Sequence, residues 1–326
     1  MENSWPFITI IIPCRNESAF IAKVLENVLT QNYPQNKMEV FVVDGNSEDD
    51  TIEILKRYAV TNAWIKILIN PAQIVPPALN LAIKQSTGDY IIRLDAHSIY
   101  ATDYVSKIVE TFQSSAADIV GGPMRAEGKT DFQKAVAYCT STKMGVGNSS
   151  FHDENASGYV DSVYLGAWKR ELFKEVGYFD EQMKRNQDDE FHYRAKSKGK
   201  KIYLNPEIRS VYYPRSTAKK LFSQYFQYGL YKPLVLKKVK SEIKIRHLIP
   251  AFFVTYLLLL IPFTFYHPLI FVTPLLLYFL LSVYFGFNSK LNLLSKLYCL
   301  IIFPILHISY GLGFIIGLFK SNKNNN

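Results

Sequence analysis

Short apolar runs alternate with amphipathic segments over the first two thirds of the chain. The apolar runs predict strands at residues 7–12, 39–43, 65–69 and 90–94. Apolar residues at helical spacing predict helices between them, at residues 19–30, 51–58 and 77–85. Because the runs at residues 8–12 and 40–43 are almost entirely apolar, both faces of these strands are expected to be covered. The pattern predicts an α/β domain built on a mostly parallel sheet.

The last third of the chain is almost uncharged between residues 248 and 319. Three apolar spans can be drawn there, at residues 248–266, 268–287 and 297–319, each near the roughly 20 residues that cross a bilayer core. Proline lies inside each span, and the first two spans, separated by His267, could instead form a hairpin that does not fully cross. Buried helices of a soluble domain are the alternative, although no polar face accompanies the spans. We predict a membrane region of about three helices over residues 248–320, followed by a polar tail at residues 321–326.

The formal net charge of +9 is concentrated beside the first apolar span. Residues 215–246 contain nine basic residues and the single acid Glu242, with aromatic residues interleaved. Basic residues next to a membrane span mark the cytoplasmic side and attract anionic head groups. Residues 215–247 are therefore expected to form a basic amphipathic segment at the interface of a multi-pass cell-membrane protein, whose N-terminal domain faces the cytoplasm. The clustered charge, without a nucleic-acid-binding signature, argues against nucleic acid as a partner.

Polar residues gather where three of the predicted strands end, at residues 13–17, 44–47 and 95–97. Ligands of parallel α/β sheets bind beyond the carboxyl ends of the strands, so these residues are expected to line one site. No glycine-rich dinucleotide fingerprint or Walker loop follows a strand, which argues against a dehydrogenase and a P-loop ATPase. The three cysteines are scattered, without the paired spacing of a zinc or redox site.

Asp95 and His97 come directly after the fourth predicted strand. Residues two apart in an extended strand project from the same face, so the carboxylate and the imidazole are expected to lie together. Such a pair suits a divalent metal ion that keeps coordination positions open for phosphate oxygens. A hydrogen bond within the loop is the simpler alternative.

Several motifs occur in a fixed order along residues 5 to about 214. They are Ile-Pro-Cys-Arg-Asn-Glu at 12–17, Val-Asp-Gly-Asn-Ser at 43–47, Ala-Leu-Asn at 78–80, Arg-Leu-Asp-Ala-His at 93–97, Gly-Ala-Trp at 166–168 and Gln-Asp-Asp-Glu at 187–190. This set resembles the family 2 glycosyltransferases, which are inverting enzymes. The resemblance implies a Rossmann-like, nucleotide-sugar-binding GT-A domain over residues 1–214. The Asp-Ala-His variant, followed by a basic aromatic segment and C-terminal spans, is similar to the membrane-associated subgroup that builds exopolysaccharides, including the succinoglycan type.

The resemblance implies roles for the residues at the strand ends. The nucleotide sugar would be bound by Pro13, Arg15, Glu17, Asp44, Asn80, Arg93 and Asp95. Asp95 corresponds to the first carboxylate of the family's Asp-X-Asp motif and His97 to the second, so both would bind a divalent metal, Mn2+ or Mg2+. The nitrogen ligand favours Mn2+. Two positions keep a structural alternative, since Asp44 could only shape a turn and Arg93 could form an ion pair instead of meeting a phosphate.

An acid at the start of a later helix is expected to be the general base. Inversion requires an acceptor hydroxyl to attack opposite the departing nucleoside diphosphate, and a carboxylate must take the hydroxyl proton. The resemblance aligns Asp188 with this base, with Asp189 and Glu190 as the second and third candidates. Alternatively, the three acids do no more than favour the positive end of the helix dipole.

These expectations describe an inverting glycosyltransferase of exopolysaccharide or cell-surface glycan synthesis. It would move a sugar from a nucleoside-diphosphate sugar, with a UDP-sugar expected first, to a polyprenyl-linked saccharide among the membrane lipids. The Gln-X-X-Arg-Trp motif of processive synthases is missing, which favours transfer of single sugars. Two alternatives stay open: a polyprenyl-phosphate glycosyltransferase, and a non-catalytic membrane scaffold that binds a nucleotide sugar.

Overall fold

The computed structural model describes residues 5–240, 243–264 and 266–323, which divide into two compact units. The first unit comprises Met1–Arg125 and Asp153–Tyr212, and the second comprises Ala126–His152 and Tyr213–Asn326. The prediction of one continuous domain over residues 1–214 differs from this division, because residues 126–152 group with the second unit. Residues 324–326 of the predicted polar tail lie outside the described residues.

The first unit is built on one large sheet. The strands of the chain are β1 (Ile8–Cys14), β2 (Met38–Asp44), β3 (Ile65–Ile69), β4 (Tyr90–Arg93), β5 (Ser98–Tyr100), β6 (Ile119–Gly122), β7 (Arg125–Ala126), β8 (Gly158–Tyr159), β9 (Tyr164–Lys169), β10 (Ile202–Leu204) and β11 (Ser210–Tyr212). The helices up to residue 197 are α1 (Ile21–Leu29), α2 (Thr51–Thr61), α3 (Val75–Gln85), α4 (Tyr104–Ser114), α5 (Asp131–Ser141), α6 (Lys143–Val146), α7 (Leu172–Val176) and α8 (Gln187–Ser197). The large sheet has the order β3-β2-β1-β4-β9-β6-β10-β8, and β5 pairs with β11 in a smaller one.

Buried parallel strands form the part of the sheet that carries the predicted motifs. β1 pairs in parallel with β2 and β4, and β2 pairs in parallel with β3. Every residue of β2 is buried, as the apolar run predicts. Helix α1 packs on the core through four buried side chains at helical spacing, Ile21, Val24, Leu25 and Val28. The prediction of a mostly parallel α/β sheet is confirmed, with β9 adding antiparallel pairs to β4 and β6.

A buried carboxylate fastens the end of the sheet opposite the predicted motifs. Glu39, near the start of β2, accepts hydrogen bonds from Thr9 Oγ1 (2.8 Å), Thr87 N (2.7 Å), Thr87 Oγ1 (2.9 Å) and Lys66 Nζ (2.8 Å). Burial opposes ionisation of Glu39, but these hydrogen bonds outweigh burial and lower the pKa of the carboxyl group. Thr9 Oγ1 also accepts from Gly88 N (3.0 Å), so the network joins β1, β2 and the segment before β4.

We expect Glu39→Ala to destabilise the first unit by about 2–4 kcal/mol, because the buried Thr9 hydroxyl and the two donors of Thr87 lose their acceptor. Since the folded pKa lies below the unfolded value of about 4.3, Glu39 stabilises the fold above that value and loses this effect as the pH falls through the folded pKa. Denaturant unfolding at neutral and acidic pH measures both effects, with the exposed Glu110→Ala as the control. A difference between variant and wild type that does not shrink in acid would contradict the role of the charge.

The second unit is mainly helical and contains the long apolar helices. In addition to α5 and α6, its helices are α9 (Ala218–Lys238), α10 (Ile245–Thr264), α11 (Pro268–Phe287) and α12 (Leu293–Lys323). Among the described residues, α11 and the stretch Leu293–Lys320 are long and apolar enough to cross a bilayer, whereas the apolar stretch of α10, Ile245–Leu260, is shorter. Of α11, 11% is buried, so most of its apolar side chains point away from the protein. Two of the predicted spans therefore have the required length, and a third crossing stays a prediction.

Glycine residues lie where the backbones of helices α9 and α12 are in close contact. A Cβ atom at Gly229 would clash with the Tyr310 carbonyl, and one at Gly313 would clash with the Phe226 carbonyl. Only glycine allows backbones to come this close, as at many helix interfaces in membranes. The basic helix α9, with Lys237 and Lys238 in its last turn, therefore packs as part of the helical unit.

Candidate active site

Two loops at the carboxyl ends of β1 and β2 are tied to each other. The hydrogen bonds, from donor to acceptor, are Asn16 N to Ser47 Oγ (2.9 Å), Glu48 N to Asn16 Oδ1 (2.8 Å), Glu17 N to Thr51 Oγ1 (2.9 Å) and Ser18 N to Asp49 Oδ2 (3.1 Å). Asn16 and Asn46 have left-handed backbone conformations with φ of 54° and 55°, which asparagine tolerates better than most residues. The loops therefore form one preorganised wall.

Asp49 is a constantly charged anchor of this wall. The Thr51 hydroxyl is the largest cause that lowers the pKa of Asp49 to about 2; burial opposes it and the hydrogen bonds from Ser18 add to it. The carboxylate also lies before the first turn of α2, where the helix dipole favours negative charge. Because Asp49 is ionised throughout the physiological pH range, the link between the two loops does not depend on pH there.

Asp44 at the end of β2 shapes the loop that follows it. The side chain is buried and accepts hydrogen bonds from the backbone N (3.0 Å) and the hydroxyl of Ser47. The Cys14 thiol lies 3.9 Å from Asp44 Oδ1, and burial raises the pKa of that thiol, so it stays protonated. The turn-shaping alternative for Asp44 is thus realised, and a contact with the nucleotide is a further proposal.

The β1 end brings the other predicted nucleotide-binding residues to this wall. Pro13 is half-buried in β1, in register with Val43 of β2. The Arg15 side chain is 39% exposed, with Nη2 at 3.5 Å from Glu48 Oε1. Glu17 Oε1 lies 3.4 Å from His97 Nδ1, which joins the loop after β1 to the segment after β4.

Asp95 and His97 lie in a turn, not in an extended strand. Strand β4 ends at Arg93, and Ser98 N donates to Asp95 O (3.3 Å) to close the turn before β5. The buried Tyr100 hydroxyl accepts from Asp95 N (2.6 Å) and holds the backbone of the turn. The alternation expected from an extended strand therefore does not apply, although both side chains do reach the carboxyl edge of the sheet.

Arg93 joins two carboxylates that are distant in the sequence. Its Nε (3.2 Å) and Nη2 (2.9 Å) donate to Asp95 Oδ1, and its Nη1 donates to both oxygens of Asp188, Oδ1 (2.8 Å) and Oδ2 (2.6 Å). The Arg93 side chain is 8% exposed. Burial works to lower the pKa of Arg93, but Asp188 and Asp95 outweigh it and raise the pKa. The structure thus shows the ion pairs of the alternative given for Arg93, and we do not propose its contact with the nucleotide sugar.

The three acids in the first turn of α8 have different environments. The helix follows Asn186, whose backbone is left-handed with φ of 59°. Glu190 is buried and forms an ion pair with Arg194, with Nε to Oε1 at 2.7 Å, and Asp189 Oδ1 accepts from Ser162 Oγ (3.3 Å). Asp188 is 29% exposed and is the one that reaches Arg93 beside Asp95. The helix-dipole alternative accounts for all three acids equally, whereas the geometry singles out Asp188.

His192 and Ser162 support the start of α8, and neither residue was predicted to belong to the site. His192 is fully buried one turn after Asp188, with Nδ1 at 2.9 Å from Ser162 Oγ. Burial lowers the pKa of His192, against the nearby Asp188 and Asp189, so the ring is neutral at neutral pH. Helical spacing could have placed His192 beside Asp188. Ser162 comes from a distant loop without a motif.

Asn80 has a structural role in place of the predicted nucleotide contact. Its side chain is buried in α3, with Nδ2 donating to Phe179 O (2.9 Å) and Glu181 Oε1 (2.9 Å), and Oδ1 accepting from Phe179 N (3.0 Å). These bonds use both amide hydrogens and the carbonyl, so the residue fastens the segment after α7 to α3. A contact between Asn80 and the nucleotide is therefore not proposed.

Comparison with known proteins identifies the family. The model of glycosyl transferase family 2 matches residues 9–177, which is just over half of the chain. The chain belongs to this family. The succinoglycan biosynthesis protein ExoA of Rhizobium meliloti (strain 1021) is 34% identical, over 74% of this chain and 73% of ExoA. The resemblance read from the sequence motifs is thus confirmed.

Two further proteins are similar over nearly the whole chain. The dolichyl N-acetyl-alpha-D-glucosaminyl phosphate 3-beta-D-2,3-diacetamido-2,3-dideoxy-beta-D-glucuronosyltransferase of Methanococcus voltae is 31% identical, over 97% of this chain and 98% of the relative. The solved structure of mannosyltransferase PcManGT from Pyrobaculum calidifontis, in complex with GDP-Man and Mn2+, has a TM-score of 0.67 at 19% identity, over 92% of this chain and 87% of that one. This likeness shows the fold, a GT-A α/β domain followed by apolar helices.

This protein is therefore a family 2 glycosyltransferase that acts in polysaccharide or glycan synthesis. The family match ends at residue 177, before α8 begins. The assignment of Asp188 consequently rests on its motif and on its position beside Asp95, and not on the family match.

Asp95 and His97 fit a metal ion that is shared with a substrate. Within residues 5–240, 243–264 and 266–323, no group of three His, Cys, Asp or Glu side chains is arranged to hold a metal ion. The hydrogen bonds from Arg93 use Oδ1 of Asp95 and do not involve Oδ2, and the His97 side chain is 33% exposed. One carboxylate oxygen and one imidazole suit an ion that takes its other ligands from phosphate oxygens and water.

Proposed function

We propose that this glycosyltransferase moves a sugar, with inversion, from a nucleoside-diphosphate sugar to a lipid-linked saccharide. The proposal rests on one observation: Asp95 and Asp188 both form an ion pair with the guanidinium of Arg93. This supports a site in which Asp95, on the side of the diphosphate, lies next to Asp188, on the side of the acceptor.

Each group of residues in the site has a different role in the proposed reaction. The loops after β1 and β2 would bind the nucleotide through Pro13, Arg15, Glu17 and Asp44. A divalent ion, Mn2+ or Mg2+, held by Asp95 and His97 would neutralise the departing diphosphate. Asp188 takes the proton of the acceptor hydroxyl as its oxygen forms the new bond to the sugar carbon and the bond to the diphosphate breaks. Attack from the opposite face inverts the configuration at that carbon.

The relatives support the choice of substrates. The name of the Methanococcus voltae relative describes transfer to an N-acetylglucosaminyl phosphate on dolichol, which is a sugar already linked to a lipid. PcManGT was solved with GDP-Man and Mn2+, and the Staphylococcus aureus enzyme TarS, with a TM-score of 0.52, was solved with UDP-GlcNAc. We keep a UDP-sugar as the first donor to test.

The helical second unit accounts for where the reaction takes place, at the membrane surface. We infer that α11 and α12 anchor the chain in the cell membrane, and that the basic residues of segment 215–247 hold the catalytic unit on the cytoplasmic side among anionic lipids. A polyprenyl-linked acceptor is confined to the same surface, so the anchor raises the concentration at which enzyme and acceptor meet.

A donor screen with purified enzyme, Mn2+ and lipid extract tests the proposal through labelled lipid product. Polyprenyl phosphate alone and polyprenyl diphosphate carrying a sugar are supplied as separate acceptors. Product on the second acceptor alone supports the proposal, and product on bare polyprenyl phosphate would replace it by the polyprenyl-phosphate transferase. Donor binding without turnover on any acceptor would favour the non-catalytic scaffold.

We expect His97→Asp to keep transfer but to change its metal preference. The substitution recreates two oxygen ligands, and Mg2+ prefers oxygen over imidazole nitrogen, so the ratio of rates with Mn2+ and Mg2+ should fall by about tenfold. Initial rates at matched concentrations of each ion measure this ratio. His152→Asp, which changes a histidine of the second unit, is the control and should leave the ratio unaltered.

A further inference from the structure

Arg93 contacts the two carboxylates to which the proposed function gives chemical roles, Asp95 and Asp188. We propose that Arg93 is a positioning residue that couples metal binding at Asp95 to the orientation of Asp188. This inference rests on the proposed function, because it takes Asp95 as a metal ligand and Asp188 as the base.

The geometry of the guanidinium allows it to serve both carboxylates at once. Two of its nitrogens donate to one oxygen of Asp95, and the third donates to both oxygens of Asp188. Because Asp95 Oδ2 takes no part in these bonds, a metal ion can bind there while the ion pairs persist. A planar, rigid fork of donors is the property that separates arginine from lysine at such a site.

The charges explain how one event affects the other. Arg93 carries one positive charge between two carboxylates, and its side chain is 8% exposed, so solvent screens these charges weakly. The cation therefore competes with a metal ion for Asp95. When a metal ion neutralises the charge of Asp95, the attraction between Arg93 and Asp95 weakens and the attraction between Arg93 and Asp188 strengthens. Metal binding thus fixes the carboxylate that receives the proton, and by linkage the state of Asp188 alters the affinity for the metal ion.

The test is the Mn2+ affinity of the purified full-length protein without donor, measured from the electron paramagnetic resonance signal of free Mn2+. Arg93→Met removes the competing charge, so Mn2+ should bind about tenfold more tightly while transfer falls. Arg93→Lys keeps the charge but not the fork, so affinity should stay within about twofold of wild type while transfer still falls. Arg209→Met removes the same charge from a side chain that is 60% exposed and paired with Asp103, and it should change neither quantity.

A double-mutant cycle with Asp188→Asn isolates the coupling. In the wild-type background the substitution removes the negative charge that shares Arg93, so the cation interacts more strongly with Asp95 and Mn2+ should bind several-fold more weakly. In the Arg93→Met background the same substitution should have no effect. A residual effect there would mean that Asp188 acts on the metal ion without Arg93, and would overturn the inference.

Failure of the inference can be told apart from failure of the proposed function. If Asp95→Ala abolishes Mn2+ binding but Arg93→Met leaves it unchanged or weaker, the metal site stands and the coupling is wrong. If Asp95→Ala binds Mn2+ like wild type, the proposed metal site is wrong and the coupling falls with it. Arg93→Gln, which keeps hydrogen-bond donors without charge, repeats the test should Arg93→Met fail to fold, and it must also tighten Mn2+ binding.

Discussion

Asp188→Asn is expected to lower the turnover number for sugar transfer by about 10³-fold, within the range that a positioned general base contributes. Asparagine has nearly the same shape and can still accept a hydrogen bond from Arg93, so the site should keep its geometry. It cannot take the proton of the acceptor hydroxyl at neutral pH. Turnover measured at saturating donor, acceptor and Mn2+ should therefore fall, while the dissociation constant of the donor at saturating Mn2+ should change little.

The neighbouring acid provides the matched comparison for this prediction. Asp189 also lies in the first turn of α8, but its carboxylate accepts from Ser162 and not from Arg93. Asp189→Asn should therefore keep turnover within a few-fold of wild type. If Asp189→Asn were nearly inactive and Asp188→Asn nearly normal, the base would be Asp189. Equal turnover in wild type and both variants would exclude Asp188 and Asp189 and leave Glu190 as the candidate on α8.

The strands of the first unit could be predicted because their apolar runs carry enough local information. The run at residues 39–43 corresponds to β2, which is buried throughout, and the run at residues 65–69 corresponds to β3, the edge strand on which Lys66 and Ile69 are exposed. The antiparallel strand β9 between β4 and β6 could not be placed, because its position depends on pairing with residues distant in the sequence. Likewise, the amphipathic pattern of α5 does not reveal which unit buries its apolar face.

The candidate site was predictable to a similar extent. The motifs named Asp95, His97 and Asp188 as candidates, and the structure brings Asp95 and Asp188 together on Arg93 while their roles stay predictions. The partners of these residues were not predictable. Arg93 and Asn80 could equally have faced a ligand, and what decides their roles is the approach of α8 and of the segment after α7, which no local pattern encodes.

Asp95→Ala is expected to lower transfer by roughly 10³-fold, because neutralising a departing diphosphate is worth several kcal/mol. The variant loses the carboxylate that Arg93 and a metal ion share, so raising the Mn2+ concentration should not restore the rate. Asp89→Ala is the matched control, since Asp89 lies just before the other end of β4 and accepts from Phe7 N (3.0 Å). Initial rates across a series of Mn2+ concentrations distinguish the outcomes: a variant rescued to the wild-type rate by excess Mn2+ would have a weakened site, whereas one that transfers normally at every concentration would show that Asp95 is not needed for the reaction.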